Sequence, residues 1–349
     1  MDMARRFALL GLAALGLYLF SALGVHGPLG DLARQRLEEG RMKNVTVTVE
    51  NGDEPVPALA PAATPGPLAL RAPAAEPEGA PLHLADESGA EVRETTIPGG
   101  LAIKNETAYE VDLGELLRAG PAVRLPAEGP QILILHTHGS EAYTQAGLDR
   151  YQAEDASRTS DTQFNIIRVG DELTSLLEEA GLRVLHDREI YDYPSYTGSY
   201  TRSGQAVERY LQQYPNIAVV LDIHRDALGS GGVVYKTMAE EDGVVASQVM
   251  LLVGTDESGL EHPFWRKNLA LALYLQEAVG RRHPTLMRPV ALVPQRYNQH
   301  LTAGSLILEV GSNGNTLQEA LAAIRLFAEA AAPALASLAE EAAAPAPEA

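Results

Sequence analysis

Cysteine is absent from all 349 residues. Disulfides are thereby excluded, and so are zinc sites built on thiolates. Any bound metal must be held by His, Asp or Glu. The absence does not decide the compartment, because a cysteine-free chain tolerates either redox state. Basic residues are also scarce, with 27 Lys and Arg against 46 Asp and Glu, for a net charge of −19. That balance argues against a nucleic-acid partner and against charge-driven binding to anionic lipid. There is no Gly-x-Ser-x-Gly elbow and no phosphate-binding glycine loop. Nothing repeats at a solenoid period.

What is present begins with an apolar run from Phe7 to Val25, uncharged throughout and preceded by Arg5 and Arg6. It is long enough to span a bilayer, and the arginines orient the N-terminus to the cytoplasm with the rest outside. A cleaved signal peptide competes with this reading, but the run is long for a signal core, so an uncleaved single-pass anchor over residues 1–30 is expected. Residues 31–82 form a juxtamembrane segment followed by a Pro/Ala-rich linker that cannot build a core. Residues 83–130 read as a lead-in, with a strand within Leu101–Tyr109 and a short helix from Asp112. Residues 131–340 read as the main domain, and 341–349 as an Ala/Pro-rich, disordered tail.

In the main domain, strands alternate with helices. Ile132–Leu135, Leu182–Leu185, Ile217–Ile223, Val249–Val253 and Leu306–Val310 read as strands. Helices are expected near 163–180, 203–213, 264–280 and 317–338. Ser160 and Gln163 suggest a capping box for the first, and Gly181 its C-terminal stop. The expected class is α/β, with a mostly parallel central sheet and helices on both faces, plus the N-terminal transmembrane helix.

The chemistry gathers at strand ends. Ile132–Leu135 breaks abruptly into His136, His138 and Glu141, and Ile217–Ile223 ends at His224. Glu309 lies inside the apolar strand Ser305–Val310 and, if buried, needs a partner. Ligands in open α/β sheets bind beyond the carboxyl ends of strands, so these residues form a candidate metal site rather than a set of locally bonded loop histidines. His138 and His224 are the first-choice ligands. His136 lies two residues from His138 and serves as a ligand or beside one. Glu141 and Asp161 compete for the third place. A hydrolytic zinc takes three protein ligands and keeps one position for water, and Glu309 would be the general base. Arg225 would hold a substrate carboxylate or pair with Asp226 or Asp222. Tyr196, among the tyrosines at 191–200, would stack on substrate or pack in the loop. His186 reads as structural, and His262, His283 and His300 have no supporting context.

Four blocks in order, His136-Thr-His-Gly-Ser-Glu-Ala-Tyr143, Asp192–Tyr200, Asp222-Ile-His-Arg-Asp-Ala227 and Leu308-Glu-Val-Gly-Ser-Asn313, resemble the stage II sporulation protein P family. The resemblance runs over about residues 100–330. It implies a zinc-dependent N-acetylmuramoyl-L-alanine amidase fold and Zn2+ as cofactor. It further implies cleavage between glycan and stem peptide, with cross-link endopeptidase activity also attributed to the family. The implied setting is septal peptidoglycan removal during engulfment, beside stage II sporulation proteins D and M. By the same resemblance His138 and His224 are ligands and Glu309 is the catalytic glutamate, while the family's ligand glutamate near the start of the first helix is matched here only by Asp161; the third place lies between Glu141 and Asp161, with Glu141 expected. The competing class is a non-catalytic peptidoglycan-binding partner that uses the same cleft.

Overall fold

A computed structural model describes residues 91–339, apart from 156 and 231. The expected anchor, linker and tail lie outside the described residues. Among those described, no helix is long and apolar enough to cross a membrane.

The elements in chain order are β1 (Glu91–Thr95), β2 (Ile103–Asn105), α1 (Leu113–Ala119), β3 (Ile132–Leu135), α2 (Ile166–Glu179), β4 (Val184–His186), α3 (Ser199–Gln213), β5 (Val219–Asp226), β6 (Gly229–Ser230), β7 (Val233–Glu241), β8 (Val244–Ser247), β9 (Val249–Gly254), α4 (Trp265–Arg282), β10 (Val290–Val293), β11 (Ser305–Ser312) and α5 (Leu317–Ala336). Seven strands form the main sheet in the order β2-β10-β9-β11-β5-β3-β4. All its neighbours run parallel except β9 and β11, which pair antiparallel, so the sheet is mixed. The lead-in supplies β2, which closes one edge against β10.

Strand alternation sorts the apolar residues onto two faces. Ile132, Ile134, Leu221, Ile223, Leu306 and Leu308 join the large core beneath α2, α4 and α5. Leu133, Leu135 and Val220 face the other way, against Val207 and Tyr210 of α3. By the same alternation Asp222 and His224 share the α3 face with Val220. Glu309 pairs with His224 in the parallel register of β11 and β5, so the two lie side by side on that face.

Two local expectations differ from the structure. Helix α2 starts at Ile166, not at 163, and its cap is Asn165, whose side chain accepts from the Ile167 N–H. Ser160 instead donates to Glu154, and Asp161 accepts from the Gln163 N–H, so those residues are occupied in turns. The capping box belongs to α5, where Thr316 and Glu319 cap each other's backbone N–H. Gly181 follows α2 with φ 85, the left-handed conformation expected there, and Leu182 N–H closes back to Leu177. Strands β6, β7 and β8, with β1, build a second sheet that the sequence pattern did not announce.

Candidate metal centre

After Leu135 the backbone leaves the sheet and turns through Thr137–Ser140, and the Glu141 N–H donates to the His138 carbonyl at 3.0 Å. The turn folds Glu141 back beneath His138 and brings both to the carboxyl end of β5, where His224 stands. His138, Glu141 and His224 are all buried and can each offer a ligand atom within 4.8 Å of the others. His138 Nδ1 lies 3.5 Å from Glu141 Oε1, and His224 Nδ1 lies 3.5 Å from Glu141 Oε2.

Fixed neighbours hold each of the three. Glu141 accepts from Arg158 Nη2 at 3.3 Å and from the Arg225 backbone N–H at 3.2 Å. His138 is stacked on Tyr196 at 4.6 Å and meets the edge of Tyr200 at 5.3 Å. His224 Nε2 lies 2.9 Å from Asp222 Oδ1. The ring N–H is poorly aligned with that oxygen, so the contact is better described as a charge pairing than as a strong hydrogen bond.

Asp222 ends a directed chain. A carboxylate only accepts, so Thr137 donates to it twice, from its backbone N–H at 2.8 Å and its hydroxyl at 2.6 Å. The Thr137 hydroxyl has then spent its proton, so Ser203 must donate to Thr137 across 2.7 Å, and Asn298 donates to Ser203 at 3.0 Å. With a carboxylate on the Nε2 side, the ring keeps its proton there and turns Nδ1 toward Glu141.

The charges follow from this arrangement. Burial opposes ionisation of Glu141, yet the hydrogen-bonding His138 and His224 beside it outweigh burial and hold its pKa well below the usual carboxylate range. Burial likewise opposes a charge on His224, but Asp222 and Glu141 together lift it well above the ordinary imidazole value. Burial pushes Glu309 up to about 8, opposed in part by His224 and reinforced by Asp226.

The residues present fit a zinc ion. Glu141 presents one carboxylate oxygen to each imidazole at 3.5 Å, and all three residues offer a ligand atom within 4.8 Å of the others, close enough to converge on one ion with bonds of about 2.0–2.2 Å. His138 Nε2 and Glu309 Oε2 are also buried with no hydrogen-bond partner among the described residues. Two imidazoles and a carboxylate are a hydrolytic donor set.

The remaining candidates fall elsewhere. His136 continues the alternation of Ile132 and Ile134 onto the opposite face. Its Nδ1 bonds the Ile223 carbonyl at 3.0 Å and its Nε2 meets His186 Nε2 at 2.8 Å. Burial, with His186 beside it, pushes its pKa down to about 3, and it is not part of the cluster. Asp161 is exposed in the turn before α2 and also lies outside the cluster. Arg225 is turned into the protein. Its guanidinium is buried and donates to the carbonyls of Ala142 and Ser157, tying the turn after Glu141 to β5. Tyr196 stands 54% exposed over His138, at the mouth of the site.

Sequence reasoning missed Asp222, Arg158 and Arg288. Asp222 was legible only as the residue two before His224, the spacing that shares a strand face. Arg158 bonds Ser140 and Asp192 besides Glu141, and Arg288 pairs with Asp226 at 2.8 Å; neither follows the carboxyl end of an apolar run, the signal used to find the site.

Among solved structures, the chain is similar to the N-acetylmuramoyl-L-alanine amidase AmiC2 of Nostoc punctiforme. Identity there is 14%, covering 60% of this chain and 97% of that one, with a TM-score of 0.35. It is also similar to the N-acetylmuramyl-L-alanine amidase Ami1 from Mycobacterium smegmatis, at 12% identity over 61% of this chain and 99% of that one, with a TM-score of 0.34. Likenesses at these scores assign no chemistry to this chain. A curated relative, stage II sporulation protein P of Bacillus subtilis (strain 168), is 27% identical over 214 residues, or 57% of this chain. The match spans half the length of that relative. The family model for stage II sporulation protein P matches residues 81–332, and the chain belongs to that family.

Proposed function

We propose that the chain is a zinc-dependent peptidoglycan hydrolase that cleaves the N-acetylmuramoyl-L-alanine amide bond. The observation that carries the reading is the His138–Glu141–His224 cluster with Glu309 beside His224 in strand register. The membership of the stage II sporulation protein P family supports a role in wall removal during sporulation.

His138, Glu141 and His224 would hold the zinc. When bound, that ion lowers the pKa of water toward neutrality and polarises a carbonyl. Glu309 stands next to the cluster with a carboxyl that burial keeps able to exchange a proton near neutral pH. It takes the proton from the attacking water, holds it on a carboxylate oxygen, and gives it to the departing amine. One C–O bond forms, the C–N bond breaks, and the proton ends on nitrogen. Tyr196 lines the mouth with the Arg158 guanidinium 5.2 Å from its ring centre, and because Arg158 is paired with Glu141 and Asp192 the approach is flat and aromatic rather than charged. Cross-link endopeptidase activity and partnership with stage II sporulation proteins D and M enter this reading on the family resemblance alone.

The run Phe7–Val25 supports a single-pass anchor with the catalytic domain outside the cytoplasm. The chain should then stay in the membrane fraction after high salt, and a mature N-terminus at or beyond Val25 would remove this part of the reading. The enzymatic part is tested by digesting purified sacculi with the full chain and identifying the fragments by mass. Stem peptides with a free alanine amine are expected. Binding without fragments would make the chain a wall-binding partner instead.

A further inference from the structure

An open groove of about 610 Å³ lies between the segment from Asp187 to Tyr193 and helix α3. That volume is within the range of small-ligand clefts. One wall is a helical stripe, since Arg202, Gln205, Arg209 and Gln213 recur at intervals of three and four. The other wall carries Ile190 and Tyr193.

Some of these groups are already committed. Arg202 donates to the carbonyls of Tyr191, Ser195 and Thr197, so it fixes the rim rather than offering donors. The Tyr191 hydroxyl donates to Asp187. Left for a ligand are the 54% exposed ring of Tyr193, the partly exposed ring of Tyr210, the amide of Gln205, the guanidinium of Arg209 and the carboxylate of Glu189. The last two cancel in charge, so the groove has no net field to select a strongly charged ligand. Aromatic faces suit the C–H face of a sugar ring, and planar amide, guanidinium and carboxylate groups suit hydroxyl and acetamido groups.

The groove adjoins the metal turn. A Cβ on Gly139 would stand 3.2 Å from the Ile190 backbone, so the turn between His138 and Glu141 packs directly against the groove wall. The Ser140 N–H and hydroxyl both bond Asp192, at 3.0 and 2.6 Å, which pins the two segments together. The groove and the metal turn thus meet at Ile190.

We infer that this groove is a subsite for the uncharged N-acetylated amino-sugar strand of the substrate, holding the glycan while the amide bond lies over His138, Glu141 and His224. The inference rests on the peptidoglycan reading above, and its test is separable from that reading. A tetramer of N-acetylglucosamine, which carries no peptide and no muramoyl amide, is titrated into the full chain in detergent after metal removal, with heat of binding as the readout. Binding is expected, and it should hardly change between about 50 mM and 500 mM salt because the ligand is uncharged. Tyr193→Ala and Arg209→Ala, both at exposed positions, should each weaken it by about tenfold while leaving zinc uptake at the parental level. No binding by the parental chain, or parental binding by both variants, overturns the inference. Hydrolysis of sacculi without tetramer binding sinks the subsite alone. Tetramer binding without hydrolysis keeps the subsite and sinks the enzymatic reading.

Discussion

Asp222 is the residue through which the site's rigidity can be tested most directly. Its carboxylate accepts twice from Thr137 and faces His224 Nε2 at 2.9 Å. Asp222→Ala leaves those buried donors unpaired and frees the imidazole to rotate. Partners of this kind behind a ligating histidine contribute about 10–100-fold in metal affinity, or roughly 1.4–2.8 kcal/mol. Asp222→Asn should cost less, because the hydroxyl chain can reverse. The new amide would donate to Thr137, Thr137 to Ser203, and Ser203 to the Tyr200 carbonyl, which already lies 3.4 Å away. The remaining amide oxygen still receives the Thr137 N–H and faces the ring. The expected order of zinc affinity is parental, then Asn, then Ala. Competition against a chromophoric chelator measures it, with circular dichroism as the check that each variant is folded. A folded Asp222→Ala chain that binds zinc as tightly as the parent would refute the positioning argument. So would an Asn variant weaker than the Ala variant.

Glu309→Gln keeps size and hydrogen-bonding capacity but cannot accept the proton. Hydrolysis of sacculi should fall by roughly 10²–10⁴-fold while zinc content stays parental, and joint loss of zinc and activity would make Glu309 a ligand. Acid should destabilise the fold through buried histidines. Burial, with His300 and Arg296 adding, pushes His262 down to about 4, and burial pushes His186 to about 4. Their folded values lie below the unfolded value of about 6.5, so this stability is present above pH 6.5 and lost as pH falls toward 4. His262→Leu should flatten the decline by at most ~1.4 kcal/mol per pH unit in urea unfolding across that window, and an unchanged slope counts against it.

Much of this was legible because strands of a buried sheet read as apolar runs that end where chemistry begins. His138, Glu141, His224 and Glu309 were named from that signal, and the fold brings the first three into one cluster with Glu309 beside it. The signal failed where geometry departs from the simple period. His136 and His138 are two apart, the spacing that shares a face in a strand, but the chain leaves the sheet after Leu135 and the two diverge. Arg225 read as a substrate contact or an ion-pair partner because its burial depends on carbonyls of Ala142 and Ser157, far away in sequence. The antiparallel β9–β11 pair was illegible for a similar reason. Apolar runs reveal that a strand is buried, not which way it runs, and the direction of β9 follows from the β7–β8 hairpin before it.

The same contacts decide what removing the metal should do. In domains that fold only around zinc, the ligands have no other support and a chelator unfolds the chain. Here each of the three candidate ligands has its own. Glu141 is held by Arg158 and the Arg225 backbone, His138 is wedged by Tyr196 and Tyr200, and His224 sits within β5 between β3 and β11. A proton can also take part of the ion's place, since Asp222 and Glu141 raise the His224 pKa when no metal is bound. The fold should therefore survive chelation with its helical signal and cooperative unfolding intact. What is lost is the linkage contribution alone, about 4 kcal/mol if free zinc stood at a thousand times its Kd, and it should return on adding zinc back. Measured by thermal unfolding at neutral pH, the chelated chain should melt lower but in a single transition of similar steepness. Loss of the helical signal on chelation at ordinary temperature would mean that the metal builds the site, and that the hydrogen bonds around Glu141 and Asp222 do not.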